Sequence, residues 1–415
     1  MNYSIILYIV GKVMMLESAC FLIPAVTSLI YGEHEGMAYL AVGAVSAIIG
    51  YLISGKKKFE NVFFAREGFV MVALSWIVLS VVGAIPFVLT GEIPNVIDAL
   101  FETVSGFTTT GASILEDVES LSHTSLIWRS FTHWVGGMGV IVLLLAILPM
   151  AGGYNMHLMK AESPGPVVGK LVPRLKDTAK ILYLIYLAIT VIEFVILVVI
   201  KMPVFDALCI TFGTAGTGGF GIKGDSLGSY SYAIQVVVTI FMILFGVNFN
   251  AYFLLLGKHK KDAFKMEEVR WYFGIIFAAI VIITINIRGY FDNILIALNH
   301  ASFQVGSIIT TTGYSTTDFD LWPQLSRNVI IFLMMCGACA GSTGGGIKVS
   351  RIIVMLKSVF QEIGYYIHPR GVKTIRMDGK VLEKPVLNNI RVFMLTYIMI
   401  YVISMFLLSL NNFDF

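Results

Sequence analysis

Nine apolar stretches along the chain are each long enough to form a helix that crosses a lipid bilayer, which takes roughly 20 mostly apolar residues. They lie at about residues 4–30, 37–54, 68–90, 124–150, 179–200, 231–256, 271–288, 328–356 and 391–410. Three shorter apolar segments lie between them, at 94–106, 203–213 and 294–309, and a run rich in threonine and glycine follows each one. Segments of this length are too short to cross, so they predict helices that dip into the membrane and return to the same side.

The composition agrees with a membrane protein and excludes several other classes. Of the 415 residues, 57% are hydrophobic and only 13% are charged, and the mean hydropathy is +0.83. A soluble chain of this composition would expose apolar patches far larger than soluble monomers tolerate. The net charge of +3 does not indicate a nucleic-acid partner, and the four cysteines lie in apolar surroundings that indicate no disulfide framework. The lipid bilayer is therefore the main surrounding of the chain.

Basic residues are concentrated in alternate loops, which predicts the orientation of the chain in the membrane. Lysines and arginines cluster at 56–66, 160–180, 258–270 and 357–391, whereas the other loops are acidic or neutral. Loops rich in lysine and arginine favour the cytoplasmic side. The alternation therefore predicts a cytoplasmic N-terminus and three short segments that dip in from outside.

The order of span, short segment, Thr/Gly loop and span occurs three times. The loops read GFTTTGA from residue 106, GTAGTGGF from residue 213 and ITTTGY from residue 309. Each has one or two small residues directly before a central glycine, which we assign as Gly111, Gly218 and Gly313. Such loops also occur as ordinary turns between helices, but three of them at matched positions indicate a repeated architecture.

The chemistry of these loops suits a monovalent cation. A short helix followed by an extended segment turns several carbonyl oxygens toward one axis, and glycine removes the side chain that would block it. Rings of such carbonyls replace the hydration shell of a permeating ion, and the inward C-terminal ends of the short helices also favour a cation. Acidic residues on the outer side are expected to concentrate cations at the entrance: Glu92, Glu102, Glu116, Asp117 and Glu119.

These loops and further motifs resemble the Trk/Ktr family of microbial potassium-uptake proteins. The matching segments are GFTTTGAS, WRSFTHWVGGMGVIVL, KLVPRLKDTAKILYLIYL, AGTGGFG and CGACAGSTGGGIKVSR. The extra helix pair before the first repeat is similar to the Trk-type (TrkH-like) branch of that family. The resemblance implies an all-α polytopic membrane protein, with repeated helix–pore loop–helix units around a pseudo-four-fold axis and an additional N-terminal helix pair.

The resemblance also implies a function, partners and site residues. The function is potassium uptake by the pore-forming subunit in a bacterial inner membrane, with K⁺ as the transported ion and no cofactor on this chain. The implied partners are a second copy in a homodimer and a cytoplasmic regulatory (TrkA-like) subunit that carries a nucleotide. The implied potassium-binding residues are Thr109, Thr110, Gly111, Gly216, Thr217, Gly218, Thr311, Thr312 and Gly313.

The same resemblance divides the chain into repeats. We expect an N-terminal helix pair at 1–60, pore repeats at 61–155, 156–262 and 263–362, and a cytoplasmic loop with the first helix of a fourth repeat at 363–415. Four-fold packing around an ion requires a fourth pore loop, and only three Thr/Gly loops are visible. The fourth loop and the last helix are therefore expected beyond Phe415.

A glycine-rich run, AGSTGGG at 340–346, interrupts the eighth apolar stretch. Each glycine costs about 1 kcal/mol relative to alanine in a helix, so three in succession are expected to unwind it. The resemblance makes the run an intramembrane gating loop, formed by Gly341, Ser342, Thr343, Gly344, Gly345 and Gly346 with Lys348 behind it. The alternative for the run itself is that its small residues only permit close helix packing. Lys348 and Arg351, which follow the run, are expected to snorkel to the interface, and the alternative is that they form an electrostatic barrier in the inner pathway.

Polar residues inside the spans leave a second function open. Glu17 and Glu193 lie within apolar stretches, where ionisable residues are rare, so a symporter that couples the cation to Na⁺ or H⁺ is the alternative. Other polar residues are expected to tie helices together, namely Asn248, Asn250, His133 and Trp134. No motif indicates an enzyme. One glycine per loop predicts modest discrimination, with Rb⁺ and some Na⁺ admitted.

Overall fold

Helices make up most of the residues that the computed structural model describes, which are 3–55, 65–139, 175–257, 260–368 and 374–410. The α-helices are α1 (Tyr3–Cys20), α2 (Leu22–Tyr31), α3 (Gly36–Ser54), α4 (Ala65–Thr90), α5 (Val96–Phe107), α6 (His123–Gly137), α7 (Leu175–Val199), α8 (Val204–Gly216), α9 (Tyr232–Phe245), α10 (Phe249–Leu256), α11 (Lys260–Lys265), α12 (Glu267–Ile287), α13 (Ile294–Ile309), α14 (Gln324–Cys336), α15 (Val349–Ile367) and α16 (Lys384–Ser409). Short 3-10 helices lie at Arg288–Tyr290 and Phe319–Leu321, and β1 (Arg376–Met377) pairs antiparallel with β2 (Lys380–Val381).

Six described stretches are long and apolar enough to cross a membrane. They are Tyr3–Tyr31, Gly36–Ser54, Arg66–Thr90, Ala179–Val199, Glu267–Tyr290 and Lys384–Ser409. These coincide with six of the predicted spans, so the prediction of a polytopic helical membrane protein is confirmed. Of the predicted span at 124–150, only α6 is described, and residues 140–150 lie outside the described residues. The basic residues predicted at 56–58 and 160–174 also lie outside them.

The three predicted short segments form the helices α5, α8 and α13. They contain 12, 13 and 16 residues, fewer than the roughly 20 that a crossing requires. Each packs between the helices on either side of it in the chain: α5 between α4 and α6, α8 between α7 and α9, and α13 between α12 and α14. The repeated unit of helix, short helix and helix is therefore present three times.

The predicted sixth span, at 231–256, is not one helix. Its two parts, α9 and α10, are bent by 91° relative to each other, and the prediction of a continuous span was wrong. Asn248 lies in the break, where its side-chain oxygen accepts a 2.9 Å hydrogen bond from the N–H of Asn250 and caps α10. The predicted eighth span is also divided, because α14 ends at Cys336 and α15 begins at Val349.

The N-terminal helices pack against each other and against the first repeat. Helix α1 contacts α3 and α4, and α2 contacts α6. A Cβ atom added to Gly11 would lie 2.7 Å from the carbonyl oxygen of Gly50, and one added to Gly50 would lie 2.6 Å from the carbonyl oxygen of Gly11. The two glycines therefore permit a backbone approach that any larger residue would prevent, as is common between membrane helices.

A β-hairpin, formed by β1 and β2, packs on the start of α12. Its turn residues Asp378 and Gly379 both have positive φ, at 49° and 78°, which matches the right-handed twist of paired strands. The Asp378 carboxylate accepts a 2.7 Å hydrogen bond from the N–H of Glu267. Lys357 is 2.5 Å from the Glu267 carboxylate and donates to the carbonyl of Arg376. No pattern in the sequence predicted this hairpin.

The carboxylate of Glu33, in the loop between α2 and α3, caps the N-terminal end of α6. It accepts hydrogen bonds of 2.9 Å from the backbone N–H groups of His123 and Thr124, and one of 2.6 Å from the Thr124 hydroxyl. The first N–H groups of a helix have no partner inside it, and a negative charge there interacts favourably with the helix dipole. Glu33 therefore fixes the N-terminal helix pair to the first repeat.

Replacing Glu33 with glutamine is expected to lower the stability of the protein by about 0.5–2 kcal/mol, the range measured for lost helix caps. Partial burial raises the pKa of Glu33, but the hydrogen bonds from Thr124 and His123 outweigh it and the net pKa is lowered. The contribution of Glu33 is therefore present above the ordinary pKa of 4.5 and is lost as the pH falls through the lower folded-state pKa.

Thermal unfolding of the purified protein at neutral and at acidic pH measures this dependence. The difference between the wild type and Glu33→Gln is expected at neutral pH and is expected to shrink in acid. Glu35→Gln is the matched control, because Glu35 precedes α3 without capping it through a side-chain hydrogen bond. Equal effects of the two substitutions would contradict the prediction.

Candidate ion pathway

Each of the three short helices ends in the same unusual way, with a threonine in the left-handed conformation. These residues are Thr109, Thr217 and Thr311, with φ of 54°, 53° and 60°. In each case the threonine N–H donates to the carbonyl three residues earlier at 3.0–3.1 Å, and the next N–H donates to the carbonyl five residues earlier at 2.8–2.9 Å. These two bonds form a Schellman motif, in which the left-handed position is normally glycine. A β-branched residue there is strained, and such strain clusters at functional sites.

A glycine with positive φ follows two residues after each threonine. The glycines are Gly111, Gly219 and Gly313, with φ of 77°, 79° and 91°. Together with the hydrogen-bond pattern, they align the segments 109–111, 217–219 and 311–313 with one another. We call these segments the first, second and third filter loops.

This alignment moves the second loop by one residue from the predicted position. The predicted residues of this loop are Gly216, Thr217 and Gly218, with Gly218 as the central glycine. In the structure Gly216 is the last residue of α8, and Gly219 has the conformation of the central glycine. The sequence Gly-Thr-Gly-Gly offers glycines on both sides of the threonine, so only the backbone dihedral angles distinguish the two registers.

The three filter loops meet at one place. A Cβ atom added to Gly111 would collide with the carbonyl oxygen of Gly218 and would lie 3.7 Å from the carbonyl oxygen of Thr312. A Cβ atom added to Gly219 would collide with that same Thr312 oxygen and would lie 3.3 Å from the carbonyl carbon of Gly313. Carbonyl groups of the second and third loops therefore lie directly beside glycines of the first and second. Three segments separated by roughly a hundred residues each converge, as the repeat predicted.

A buried ion pair supports the first and second filter loops from behind. Arg129 on α6 and Glu102 on α5 are 2% and 1% exposed, and the guanidinium nitrogens lie 2.6 Å from the carboxylate. The Glu102 carboxylate also accepts hydrogen bonds of 3.1 Å from the Ser113 hydroxyl and the Ile114 N–H, just after the first loop. The Arg129 side chain donates to the carbonyl of Gly221, just after the second loop, at 3.4 Å. One ion pair, carried by α5 and α6, thus connects to the segments that follow both loops.

The predicted role of Glu102 at the pore entrance was therefore wrong, because its charge is buried and paired with Arg129. Glu92 is also engaged, since it accepts hydrogen bonds from Ser122 and Ser125 at the start of α6. The remaining three predicted acidic residues are exposed on the loop that follows the first filter loop: Glu116, Asp117 and Glu119.

Two aromatic side chains hold the second filter loop in place. A Cβ atom on Gly218 would collide with the ring of His133, which stacks on Phe220 with the ring centroids 4.1 Å apart. The hydroxyl of Tyr314, directly after the third loop, lies 3.2 Å from the carbonyl oxygen of Ile210 and 3.4 Å from that of Phe220. His133 and Tyr314 therefore link the second loop to α6 and to the third loop.

An intramembrane loop, residues 337–348 between α14 and α15, lies against the third filter loop. The N–H of Gly345 donates a 2.7 Å hydrogen bond to the hydroxyl of Thr311. A Cβ atom added to Gly344 would lie 2.8 Å from the carbonyl oxygen of Thr310. Gly341 and Gly346 have positive φ, at 69° and 77°. The predicted glycine-rich run is therefore non-helical and in direct contact with the filter loops.

Lys348 is buried at the end of this loop, and its side chain does not reach the interface. It is 3% exposed, and its ammonium group donates a hydrogen bond to the carbonyl of Gly344. The prediction that Lys348 snorkels to the membrane surface was therefore wrong, and Arg351 is also buried, at 8% exposed. The positive charge lies against the backbone of the loop itself, within the predicted gate.

The intramembrane loop and the break between α9 and α10 supply hydrogen-bond partners for each other's backbone groups. The N–H of Cys339 donates to the carbonyl of Gly246, and the N–H of Phe249 donates to the carbonyl of Gly341, both at 3.0 Å. The hydroxyl of Thr343 donates to the carbonyl of Phe245 at 3.2 Å. Irregular backbone at membrane depth persists only where such partners exist, so the two breaks depend on each other.

Glu268, at the start of α12, connects both breaks and was missed by the sequence analysis. Its carboxylate is buried and accepts hydrogen bonds from the N–H groups of Ala340 and Ser350, at 2.7 Å and 3.1 Å, and from the side-chain amide of Asn248 at 3.3 Å. In the sequence it is one of two adjacent glutamates in the first turn of a helix. Acidic residues are common there for electrostatic reasons alone, so no sequence signal distinguished it.

Other polar residues within the spans have the simpler roles expected of them. The indole N–H of Trp134 lies 3.3 Å from the hydroxyl of Thr190 and ties α6 to α7. Asn248 ties the α9–α10 break to Glu268. Glu17 and Glu193 are buried within α1 and α7, and their expected roles stay predictions.

Re-entrant short helices that bring strained backbone loops to one point, within a bundle of spanning helices, define an ion-conducting membrane protein of the pore-loop class. A family model described as TrkH, cation transport protein, matches residues 36–415. The chain therefore belongs to the TrkH family of cation transport proteins.

Individual relatives agree with this assignment. Over 422 aligned residues the chain is 36% identical to the Trk system potassium uptake proteins TrkH of Salmonella typhimurium and of Escherichia coli K12, covering 100% of this chain and 87% of each relative. The crystal structure of the potassium transporter TrkH from Vibrio parahaemolyticus matches with a TM-score of 0.88 at 32% sequence identity, over 100% of this chain and 87% of that chain. These relatives are transport proteins and not enzymes, which agrees with the sequence prediction.

Proposed function

We propose that this chain is the pore-forming subunit of a Trk-type system that takes up K⁺ across the cell membrane. The single observation that carries the proposal is the convergence of the three filter loops, in which Gly111 lies beside the carbonyl oxygens of Gly218 and Thr312. The names of the relatives, Trk system potassium uptake proteins, supply the ion.

In this proposal the backbone, not side chains, selects the ion. Carbonyl oxygens of the filter loops replace the water around K⁺, and the inward C-terminal ends of α5, α8 and α13 add favourable dipoles. The residues proposed to bind K⁺ are Thr109, Thr110, Gly111, Thr217, Gly218, Gly219, Thr311, Thr312 and Gly313. Gly219 thus takes the place that the sequence analysis gave to Gly216.

The intramembrane loop is proposed as the gate. It lies directly against the third filter loop through the hydrogen bond between Gly345 and Thr311, so its displacement would change the path next to the filter. Its residues are Gly341, Ser342, Thr343, Gly344, Gly345 and Gly346, with the buried ammonium of Lys348 bound to the loop backbone.

We further propose the setting in which the subunit acts. It is a homodimer in the bacterial inner membrane with a cytoplasmic N-terminus, regulated by a nucleotide-binding TrkA-like subunit on the cytoplasmic side. The proposed repeat boundaries are 61–155, 156–262, 263–362 and 363–415, after the helix pair at 1–60. The alternation of basic and acidic loops supports the orientation.

Uptake of ⁸⁶Rb⁺ by bacterial cells that lack their other K⁺-uptake systems tests the function. The full-length protein is expected to restore growth at low K⁺ and to raise ⁸⁶Rb⁺ uptake above that of cells with the vector alone. No rescue by protein that is present in the membrane would contradict the proposal. Flux that disappears when only the Na⁺ or only the H⁺ gradient is removed would instead support the symporter alternative.

A further inference from the structure

Glu268 is the point at which three segments around the intramembrane loop are held together. Its oxygen Oε1 accepts from the N–H of Ala340, inside the loop, and from the N–H of Ser350, in the first turn after it. Its oxygen Oε2 accepts from Asn248, in the break between α9 and α10. One carboxylate therefore connects both sides of the loop to the broken helix that faces it.

We propose that Glu268 is a positioning residue that latches the intramembrane loop beneath the third filter loop, so that loss of its carboxylate releases the loop and raises ion flux. The inference rests on the gating role proposed above for that loop. Glu268 itself does not contact the filter loops in this arrangement; it acts through Ala340 and Ser350.

The hydrogen bonds at Glu268 are of the strong kind. Bonds to a carboxylate are roughly twice as strong as those between neutral groups, and a buried carboxylate depends on them because it has left water. The loop that they hold is rich in glycine, whose backbone adopts many other conformations at little cost. Without the carboxylate, the N–H groups of Ala340 and Ser350 lose their acceptor. The latched conformation of the loop is then no longer lower in free energy than its other conformations.

Other charged groups near the latch do not replace it. The ammonium of Lys348 is directed to the carbonyl of Gly344. The guanidinium of Arg351 donates to the carbonyl of Ile347 at 2.9 Å and lies 3.8 Å from the ring centroid of Phe393. Both cations also interact electrostatically with Glu268, but each donates to a single carbonyl, whereas Glu268 connects separate segments.

Two substitutions remove the hydrogen bonds of Glu268 to different extents. Glu268→Gln retains one carbonyl oxygen for Ala340 and Ser350 but places an N–H₂ group opposite the Asn248 amide, whereas Glu268→Ala removes every acceptor. Glu267→Gln is the matched control: it makes the same charge change one residue away, where the carboxylate pairs with Lys357 and not with the loop.

A native thiol reports the position of the loop without any transport measurement. Cys339 lies within the loop and is 0% exposed, and Cys209, on α8, is also 0% exposed. In purified full-length protein, a small water-soluble thiol reagent is expected to modify Cys339 about tenfold faster in Glu268→Ala than in the wild type, the factor that one lost charged hydrogen bond predicts. Glu268→Gln is expected to lie between them, and Cys209 is expected to stay unmodified.

Flux provides the second readout. Basal ⁸⁶Rb⁺ flux is expected to rise in the order wild type, Glu268→Gln, Glu268→Ala, with K⁺/Na⁺ discrimination and the Glu267→Gln control unchanged. Unchanged modification of Cys339 in both Glu268 variants would overturn the latch. Equal exposure of Cys339 and Cys209 in both would also overturn it, because Glu268 would then hold the whole fold.

The two proposals fail in different ways. If the wild type carries no Rb⁺, the proposed function is wrong, while the rate of Cys339 modification still decides whether Glu268 holds the loop. If Cys339 becomes accessible and flux does not change, the loop is latched by Glu268 but does not gate the path, and the inference as stated is overturned.

Discussion

Replacing Gly111 with alanine is expected to reduce ⁸⁶Rb⁺ uptake at least about tenfold and to abolish discrimination between K⁺ and Na⁺. Gly111 has φ of 77°, a conformation that costs a residue with a Cβ atom about 1–2 kcal/mol, and 1.4 kcal/mol corresponds to about a tenfold change. The added Cβ atom would also collide with the carbonyl oxygen of Gly218. Because that oxygen belongs to a proposed ion-binding loop, the substitution displaces the group that selects the ion.

The chain contains matched controls for this substitution. Gly313→Ala introduces the same kind of strain, at φ of 91°, but no described atom lies within 4 Å of the added Cβ atom, so a smaller loss is expected. Gly224→Ala, on the loop that follows the second filter loop, meets only a Glu119 oxygen at 3.9 Å and is expected to leave uptake unchanged. Wild-type uptake by Gly111→Ala would contradict the proposed position of the filter.

The sequence predicted the spans and the short helices well because the membrane imposes simple length rules on them. A stretch near 20 apolar residues crosses and one near 12 does not, and that arithmetic alone located α3, α4, α7 and α12 as well as α5, α8 and α13. In the first and third loops the glycine of positive φ is the one that the sequence singled out, since Thr-Thr-Gly offers a single glycine in each. The role of these loops in ion binding stays a prediction.

Features that depend on contacts between distant residues were not predicted. The register of the second loop was ambiguous because Gly218 and Gly219 are adjacent, and only φ separates them. The 91° bend after α9 has no helix-breaking run in the sequence comparable to 340–346; it persists because the intramembrane loop supplies its hydrogen-bond partners. Likewise Glu268 receives its two backbone hydrogen bonds from residues 72 and 82 positions later in the chain.

Glu102 is the clearest case of a role that depends on a residue distant in the sequence. In the sequence it is one of several acidic residues on the outer side, and attraction of cations was the simplest role for all of them. In the structure it is 1% exposed and paired with Arg129, 27 positions later in the chain. A periodic pattern indicates that a residue lies on a buried face, but it does not reveal whether a partner of opposite charge lies opposite.

Replacing Arg129 with methionine is expected to lower the stability of the protein more than any single substitution at its surface. It would leave the Glu102 carboxylate buried without its cation, which costs about 3–5 kcal/mol. Arg129→Lys is expected to rescue little, because one ammonium group cannot reproduce the planar fork that reaches both the Glu102 carboxylate and the Gly221 carbonyl. Thermal unfolding of purified protein and ⁸⁶Rb⁺ uptake measure the two consequences, stability and conduction.

The double variant Glu102→Gln with Arg129→Met distinguishes two effects of losing Arg129. One is the unpaired charge left on Glu102, and the other is the loss of hydrogen bonds to the segments that follow the filter loops. With neither charge left in the interior, stability is expected to recover by about 1–3 kcal/mol relative to Arg129→Met alone, because buried ion pairs contribute little net energy once both members are removed. Ion selectivity is not expected to recover, since the bond from Arg129 to the Gly221 carbonyl, just after the second filter loop, and the bonds from Ser113 and Ile114 to the Glu102 carboxylate are still altered. Additive effects of the two single substitutions on stability would show that the pair is not coupled, and selectivity restored together with stability would show that it does not position the loops.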